Sequence, residues 1–548
     1  MINTILKSRK ITNFTVFSIF VLISLIGFLV YRDYGVSWDE PIERCNGLHS
    51  LASAYYVFTR NSLGFDLSKW TDRYYGNGLQ HLLLFVDYLG DCFSFNSCGN
   101  AESWFLRHKM TFIFMLVGLF FMYRTGCLLW RCKVKAIIPI LLFLFLPRFV
   151  AESFYNIKDI GLLATMMVGG FFIVRYTLNN TYKNIIFLGI AAAFVCSVRL
   201  VGLQLLIMGI FIAVVLEPLC KGKWSWKKTS LHILCLFVSF FTCLILFYPA
   251  CWNSNVFTFF IDAFSYMTKH PWGGIIRFCG NDYRSVNLPW YYLIVWIGIT
   301  VPLPVIFLLF IGSISVLKKC FSCSNKRLQP RVVFILLMFF MMFWGELLIL
   351  PFIVKNYYNG WRHFYFLGYP MLILAGFGAV SLFKIAWKYS FVKIVLITTV
   401  FTISLVHVVW MVSQHPYQYL YFNVLASSPA NFELDYWHVS NIRGIKKILD
   451  RNKDIEDRKT LAYHYTIPAA LSMYGELGKE KIHVVSNDSF HDYVIITDDS
   501  NWTIEKYRKQ YPKYSKAKII FDETEWVYNS LWTKRGMVYR LVELKNIP

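Results

Sequence analysis

Charge is what this sequence has least of. Only 16% of its 548 residues are Asp, Glu, Lys or Arg, against about 25% in soluble domains. With 56% hydrophobic and 19% aromatic residues and a mean hydropathy of +0.47, this composition excludes an ordinary soluble globular chain and marks an integral membrane protein. Acid is the scarcer sign, 32 Asp/Glu against 55 Lys/Arg. The basic excess does not indicate a nucleic-acid partner. Residues 412–548 hold 19 Lys/Arg and 17 Asp/Glu, which leaves 36 basic and 15 acidic residues, or +21 of the formal net charge of +23, to residues 1–411. That excess stands in short clusters beside apolar runs, the pattern of membrane flanks. The C-terminal 137 residues contain no GxGxxG, Walker loop or zinc-ligand spacing and are read as a folded cap over the outer face; no cofactor is expected. The first apolar run follows Lys7, Arg9 and Lys10 but lacks a small-residue cleavage site, and is read as an uncleaved anchor. The 13 cysteines are scattered, several inside apolar runs. Cys92/Cys98 and Cys251/Cys279 would share one side of the membrane and could pair, although sequence spacing says little about geometry.

What is present is a series of apolar runs that continues to about residue 411. Each is long enough to cross a bilayer core of about 30 Å as a helix. With the basic N-terminus inside, span 1 covers 12–31, and a large outer loop, 32–108, holds aromatic and polar segments expected to include interfacial helices. Span 2 (109–130) ends at Arg131, Lys133 and Lys135; span 3 (136–148), interrupted by Pro139 and Pro147, returns outside; span 4 (160–178) leads to Lys183. The run 185–217 is too long for one helix and is broken at Ser197-Val-Arg199, which splits it into two short spans meeting near the outer side. Spans at 230–249, 291–317, 332–350, 364–383 and 392–411 follow. Inner clusters separate them: Lys221 to Lys228; Lys318, Lys319, Lys326, Arg327 and Arg331; and Lys384, Lys388 and Lys393. About eleven spans result, an odd number, so the N-terminus is cytoplasmic and the C-terminal region extracytoplasmic. The expected organisation is a transmembrane domain over 1–411 and an extracytoplasmic α/β domain over 412–548. Strands are expected at 460–465, 481–485, 493–497, 517–521 and 537–544, and helices at 440–451 and 467–475.

This topology puts every candidate polar cluster on one face. Trp38-Asp39-Glu40 follows span 1, Asn156-Ile-Lys158-Asp159 precedes span 4, Arg199 sits at the break in the 185–217 run, and Arg362-His363 precedes span 10. A glycosyl phosphate donor needs cations to neutralise its phosphate as the sugar–oxygen bond breaks, and a carboxylate to take the acceptor's proton. Asp39 or Glu40 can be that base. Lys158, Arg199 and Arg362 are candidates for the phosphate, with Arg gripping it through two donors and Lys acting as a point charge. Trp38 and the aromatic run 361–366 could stack on sugar faces or on a polyprenyl chain, and Asn156, His363 and His270 could line the substrate. Plainer roles stand beside these. Asp39 before Pro41 can cap a helix, Lys158-Asp159 can be an exposed ion pair of little energetic value, and Arg362-His363 can be an interfacial anchor, as His270-Pro-Trp can. Arg199 is the sharper case, because a basic residue between two apolar stretches is costly unless paired or wetted.

Taken together, the acidic pair after span 1, Asn156-x-Lys158-Asp159, Arg362-x-Phe364 followed by Pro370, and the trailing domain resemble the GT-C glycosyltransferases. So do His415-Pro-Tyr-Gln-Tyr-Leu-Tyr-Phe-Asn423 and Asp435-Tyr-Trp437. The sequence is most similar to uncharacterised bacterial members of the protein O-mannosyltransferase and aminoarabinose transferase branch, the family 39-like glycosyltransferases. The resemblance implies Asp39 as the acceptor-activating base with Glu40 beside it, Asp159 as the second acid, and Lys158 and Arg362 facing the donor phosphate. It also implies metal-free, inverting transfer from a polyprenyl-phosphate sugar. The Trp-Trp-Asp-Tyr-Gly motif of the metal-dependent oligosaccharyltransferase branch is absent.

The expected function is therefore a multi-pass glycosyltransferase of a bacterial plasma membrane. It moves a sugar from a polyprenyl-phosphate carrier in the lipid bilayer to a hydroxyl of a lipid, glycan or protein acceptor on the extracytoplasmic face. The alternative is a transporter or flippase of lipid-linked saccharides, which intramembrane charge and broken helices also suit. Against it, the two halves of the sequence show no relation, and all the candidate charges but Arg199 lie on the outer rim.

Overall fold

The computed structural model describes residues 2–92, 99–268, 272–321, 329–354, 357–426, 428–464, 466–487, 489–497 and 503–546. Its helices in chain order are α1 (Ile2–Val30), α2 (Asp39–Thr59), α3 (Gly78–Leu89), α4 (Ala101–Trp130), α5 (Lys133–Leu144), α6 (Pro147–Tyr155), α7 (Asp159–Leu178), α8 (Tyr182–Cys196), α9 (Leu200–Lys221), α10 (Trp226–Phe247), α11 (Val256–Thr268), α12 (Tyr292–Thr300), α13 (Leu303–Phe321), α14 (Pro330–Ile353), α15 (Arg362–Ala386) and α16 (Ser390–Ser413). Among the described residues nine of these are long and apolar enough to cross a membrane, and ten if α5 and α6, bent by 79° at their junction, count as one broken span. The eleventh expected span is α8, whose fifteen residues reach only about 22 Å. The chain is a polytopic helical membrane protein. Exposed apolar side chains line α1 and α16, as lipid-facing helices require, whereas α7 and α15 are buried over most of their length and form the centre of the bundle.

Proline and small residues explain the departures from the expected spans. The run 291–317 is two helices, because Pro302 lacks an N–H and holds Val301 extended (φ −89°, ψ 130°), which ends α12 at Thr300. Pro147 stands in the first turn of α6, where its missing N–H costs nothing and the new direction begins. The break in the 185–217 run falls where it was expected: α8 ends at Cys196, Arg199 is extended, and a 3-10 turn at Leu200–Gly202 opens α9. At the core, α13 and α15 touch through glycine. A Cβ on Gly312 would lie 1.8 Å from the Leu374 carbonyl oxygen, and one on Gly378 1.9 Å from that of Leu308.

The loop 32–108 contains α2 and α3, and the loop after α10 contains α11 and a hairpin, β1 (Ile275–Phe278) with β2 (Asn281–Arg284). Beyond α16 come α17 (Asn441–Arg451), β3 (Lys459–Ala462), α18 (Ile467–Ser472), α19 (Gly475–Lys481), β4 (Ile482–Val485), β5 (Tyr493–Ile496), α20 (Ile504–Gln510), β6 (Ala517–Tyr528) and β7 (Arg535–Asn546). The strands form one mixed sheet in the order β4-β3-β5-β7-β6, parallel across β4-β3-β5 and antiparallel across β5-β7-β6. This α/β region packs tightly on the start of α2. The Trp38 N–H donates to the Trp437 carbonyl at 2.9 Å, and a Cβ on Gly35 would lie 2.4 Å from the Val439 carbonyl oxygen. Cys251 and Cys279 are both free thiols, so that pairing is not formed. Cys251 is buried in the turn that follows α10, and Cys279 is exposed on the hairpin turn. Cys98 of the other candidate pair lies outside the described residues.

Candidate active site

The segment Tyr34 to Glu40 turns the chain from α1 into α2. Tyr34 anchors it, fully buried, stacked on Phe154 at 4.9 Å and donating to Gln418. The two adjacent acids then diverge, because successive helical residues point about 100° apart. Glu40 folds back to accept the Ser37 N–H at 2.6 Å, half of a Ser-x-x-Glu capping box, and meets His108 Nε2 at 3.0 Å. Asp39 faces the other way, 2.7 Å from Arg362 Nη1. The capping role considered for Asp39 thus falls to Glu40. A third acid, Glu43, is one turn on from Asp39 and shares its face; it forms an ion pair with Lys158. Sequence reasoning overlooked Glu43, although its i+4 spacing from Asp39 was visible.

The bend between α6 and α7 supplies the second group. The Asn156 side-chain oxygen caps α7 by accepting the Asp159 N–H at 2.9 Å, and its amide donates to Glu152 at 2.7 Å and to Asp159 at 3.3 Å. Asp159 is fully buried, with Arg199 Nη2 at 2.5 Å from one oxygen and Arg362 Nη1 at 3.6 Å from the other. The costly intramembrane cation is therefore paired. Arg362 holds the two groups together. Its guanidinium, in a residue only 5% exposed, bonds Tyr436 at 2.9 Å and lies 4.5–5.0 Å from the ring centres of Tyr358, Tyr436 and Trp437. Three acids (Asp39, Glu43, Asp159) thus face three cations (Lys158, Arg199, Arg362) in one network.

The electrostatics follow from that pairing. Burial alone would raise the Asp39 pKa, but the charges of Arg362 and Lys158 outweigh it and hold the carboxyl below its ordinary value. For Glu43 burial wins over Lys158, and its pKa is raised. Trp38 turns away from the network towards His438 and His464, at 5.6 and 5.4 Å between ring centres. It lines a cavity of about 540 Å3 between the start of α2, the β1–β2 hairpin and the C-terminal region, together with Trp272, Arg277, Tyr436 and Lys506. Tyr436 is shared by this cavity and the ion network; the space among Asp39, Glu43 and Lys158 themselves is only about 10 Å3. His363 is partly buried with its ring 4.6 Å from Tyr358, and His270 lies outside the described residues. Among the described residues no group of three or more His, Cys, Asp or Glu is placed to hold a metal ion.

Residues 90–265 match the family model described as dolichyl-phosphate-mannose-protein mannosyltransferase. The match bears out the resemblance to the protein O-mannosyltransferase branch and spans Asn156, Lys158, Asp159 and Arg199, while Asp39 and Arg362 lie outside it. No curated protein matches. Among solved structures, ArnT from Cupriavidus metallidurans in the apo state and the same protein bound to undecaprenyl phosphate are each 12% identical to this chain. Each alignment covers 97% of this chain and 98% of the other, at a TM-score of 0.45.

Proposed function

We propose that the chain is a membrane glycosyltransferase that moves a sugar from a polyprenyl-phosphate carrier to an acceptor hydroxyl, with inversion at the sugar carbon. The observation that carries this reading is Arg362. It holds Asp39 at hydrogen-bond distance and reaches Asp159, beside a cavity of about 540 Å3. The family match over residues 90–265 adds the chemistry of sugar transfer from a lipid phosphate.

In this reading Asp39 takes the acceptor proton as the acceptor oxygen attacks the sugar's anomeric carbon. The bond from that carbon to the phosphate oxygen breaks, and the electron pair leaves on the polyprenyl phosphate, whose charge Arg362, Lys158 and Arg199 neutralise. Each cation is matched to a carboxylate in this structure. A donor phosphate that draws Arg362 towards itself therefore strips Asp39 of its counter-ion and makes it a stronger base at the moment the base is needed. Asp159 positions Arg199 and Arg362, and Glu43 holds Lys158 until the donor phosphate competes for it. Glu40, bound to its own turn and to His108, sets the direction of α2. The acceptor enters through the cavity beside Trp38 and Tyr436, where aromatic faces and charged groups suit a polar, ring-bearing molecule.

The same proposal places the site on the extracytoplasmic face of a plasma membrane, with the N-terminus cytoplasmic. Residues 1–411 then form the transmembrane transferase, with 32–108 its first outer loop, and residues 412–548 form an extracytoplasmic cap. Supporting this, the basic clusters gather at the far ends of the helices: Lys319 lies within electrostatic reach of Lys384 and Lys135, and Arg331 meets Glu217 beside Lys221 and Lys228. That the acids and cations of this network meet at a helix end, where α2 and α7 begin, also favours a transferase over a transporter, whose charges belong near mid-membrane.

The test uses full-length protein in proteoliposomes supplied with polyprenyl-phosphate hexoses and pentoses and with an envelope extract as acceptor, and follows release of polyprenyl phosphate. Asp39→Asn is expected to abolish release while the protein remains folded, because Arg362 keeps Asp159 as a counter-ion at 3.6 Å. Release at the wild-type rate by the folded variant would remove Asp39 as the base.

A further inference from the structure

A second charged site lies at the other end of the bundle. Asp159 opens α7, and Leu178, which closes it about 30 Å away by helical rise, receives Arg331 Nη1 on its carbonyl at 3.2 Å. Beside that end is a cavity of about 210 Å3 between the close of α9 and the start of α10, lined among others by Glu217, Lys221, Lys223, Lys228 and His232. Glu217 is the one carboxylate in that lining. It meets Lys221 at 2.7 Å, Lys228 at 3.6 Å and Arg331 at 2.6 Å. With Lys223 also on the wall, four cations are set against one carboxylate, and the cavity keeps a positive excess.

Two features separate this cavity from an ordinary basic membrane flank. No side chain caps the N-terminus of α10, whose first turn (Trp226 to Thr229) borders the cavity, so the positive end of a 22-residue helix faces it. The second feature is His232, only 1% exposed. Its Nδ1 is 2.9 Å from the Tyr176 hydroxyl, and its Nε2 has no hydrogen-bond partner among the described residues. In the tautomer in which the Tyr176 hydroxyl donates to Nδ1, the ring proton is on Nε2 and forms a buried donor on this wall. A buried polar atom of this kind is costly without a partner.

We propose that this cavity binds a phosphate-bearing anion, with Lys221, Lys223 and Lys228 supplying charge and the α10 N-terminus and His232 Nε2 supplying directed donors. Its volume admits a phosphate group with several waters. Leu219, Trp224 and Trp226, next in the chain to the lining residues Pro218, Lys223 and Ser225, are exposed, as side chains that meet lipid headgroups are. The phosphate can thus come from a phospholipid headgroup or from solution.

The experiment measures phosphatidylglycerol retained by delipidated full-length protein in micelles of a phosphate-free maltoside detergent, by native mass spectrometry. Lys223→Gln, on an exposed side chain whose loss does not threaten folding, is expected to weaken retention about five-fold. His232→Gln should weaken it as well, and Lys388→Gln, an exposed lysine outside the cavity, should leave it unchanged. Displacement of the lipid by millimolar inorganic phosphate would show that the site reads phosphate alone; retention in its presence would make the headgroup lipid the ligand. Equal retention by wild type, Lys223→Gln and His232→Gln, or an equal loss in Lys388→Gln, would overturn the proposal.

Discussion

Replacing Arg362 with Lys keeps a positive charge where the network needs one but removes the planar fork that lets one side chain serve several partners. In the structure that fork bonds Asp39 at 2.7 Å and Tyr436 at 2.9 Å and reaches Asp159 at 3.6 Å. An ammonium on a flexible stem can keep the Asp39 contact but not the Tyr436 bond with it. The loss is one hydrogen bond to a charged group, about 1.5–3 kcal/mol. If that bond holds the guanidinium where the leaving phosphate develops charge, kcat/KM for the polyprenyl-phosphate sugar falls about 10- to 100-fold. Thermal stability should fall by no more than that one bond contributes, because Asp39 and Asp159 both retain a counter-ion. Arg362→Gln is the sterner test. It leaves Asp39 without its strongest cation, so the Asp39 pKa rises and the acid limb of the pH–rate profile moves to higher pH. Removing one partner of a buried pair also costs about 3–5 kcal/mol of stability. Asp39 is held low in the folded state, so the stabilisation it contributes is present at neutral pH and is lost only as pH falls through its folded pKa. The wild type should therefore lose this part of its advantage over Arg362→Gln at acid pH. A kcat/KM for Arg362→Lys within about two-fold of the wild type, together with an unmoved acid limb in Arg362→Gln, would refute the assignment.

Two further outcomes follow from named contacts. Glu43→Gln frees Lys158 from its ion pair and should lower the KM for donor, read from polyprenyl phosphate release, if Lys158 then meets the phosphate unopposed; an unchanged KM would separate Lys158 from the donor. Asp435 is buried and accepts from Tyr419 at 2.8 Å and from Ser440, yet burial pushes its pKa up to about 6. A carboxyl raised in the folded state contributes stability that is full below its unfolded pKa of about 3.9 and is lost as pH rises through about 6. The gap in Tm between wild type and Asp435→Asn should accordingly narrow between about pH 4 and pH 7.

The membrane spans and the C-terminal strands were legible in the sequence because they rest on local patterns. Twenty apolar residues make a span wherever they stand, and the short apolar runs of β-forming residues at 460–465, 481–485, 493–497, 517–521 and 537–544 became β3 to β7 with only their ends moved. The break at Arg199 was legible for the same reason, since a cation inside an apolar run has few tolerable places. The site was legible as a set of residue types but not as an arrangement. Asp39, Lys158, Asp159, Arg199 and Arg362 were named and do meet, whereas Glu43, Tyr436 and the cavity above Trp38 were not foreseen as parts of one site. The hairpin β1–β2, which walls that cavity, was also missed, its strands being only four residues long.

What the sequence determined by itself was that this chain spans a membrane many times, carries an α/β region after the last span, and places few, costly charges near helix starts. Only the tertiary structure decided which of two neighbouring acids faces the cations. Asp39 and Glu40 are indistinguishable by type and position in the chain, and a 100° helical turn sends one to Arg362 and the other to Ser37 and His108. Tertiary packing likewise decided that Arg362, 323 residues from Asp39, joins the ion network. A charge buried in an apolar bundle must find its partner wherever the fold brings one, and that distance in the chain leaves no local pattern to read.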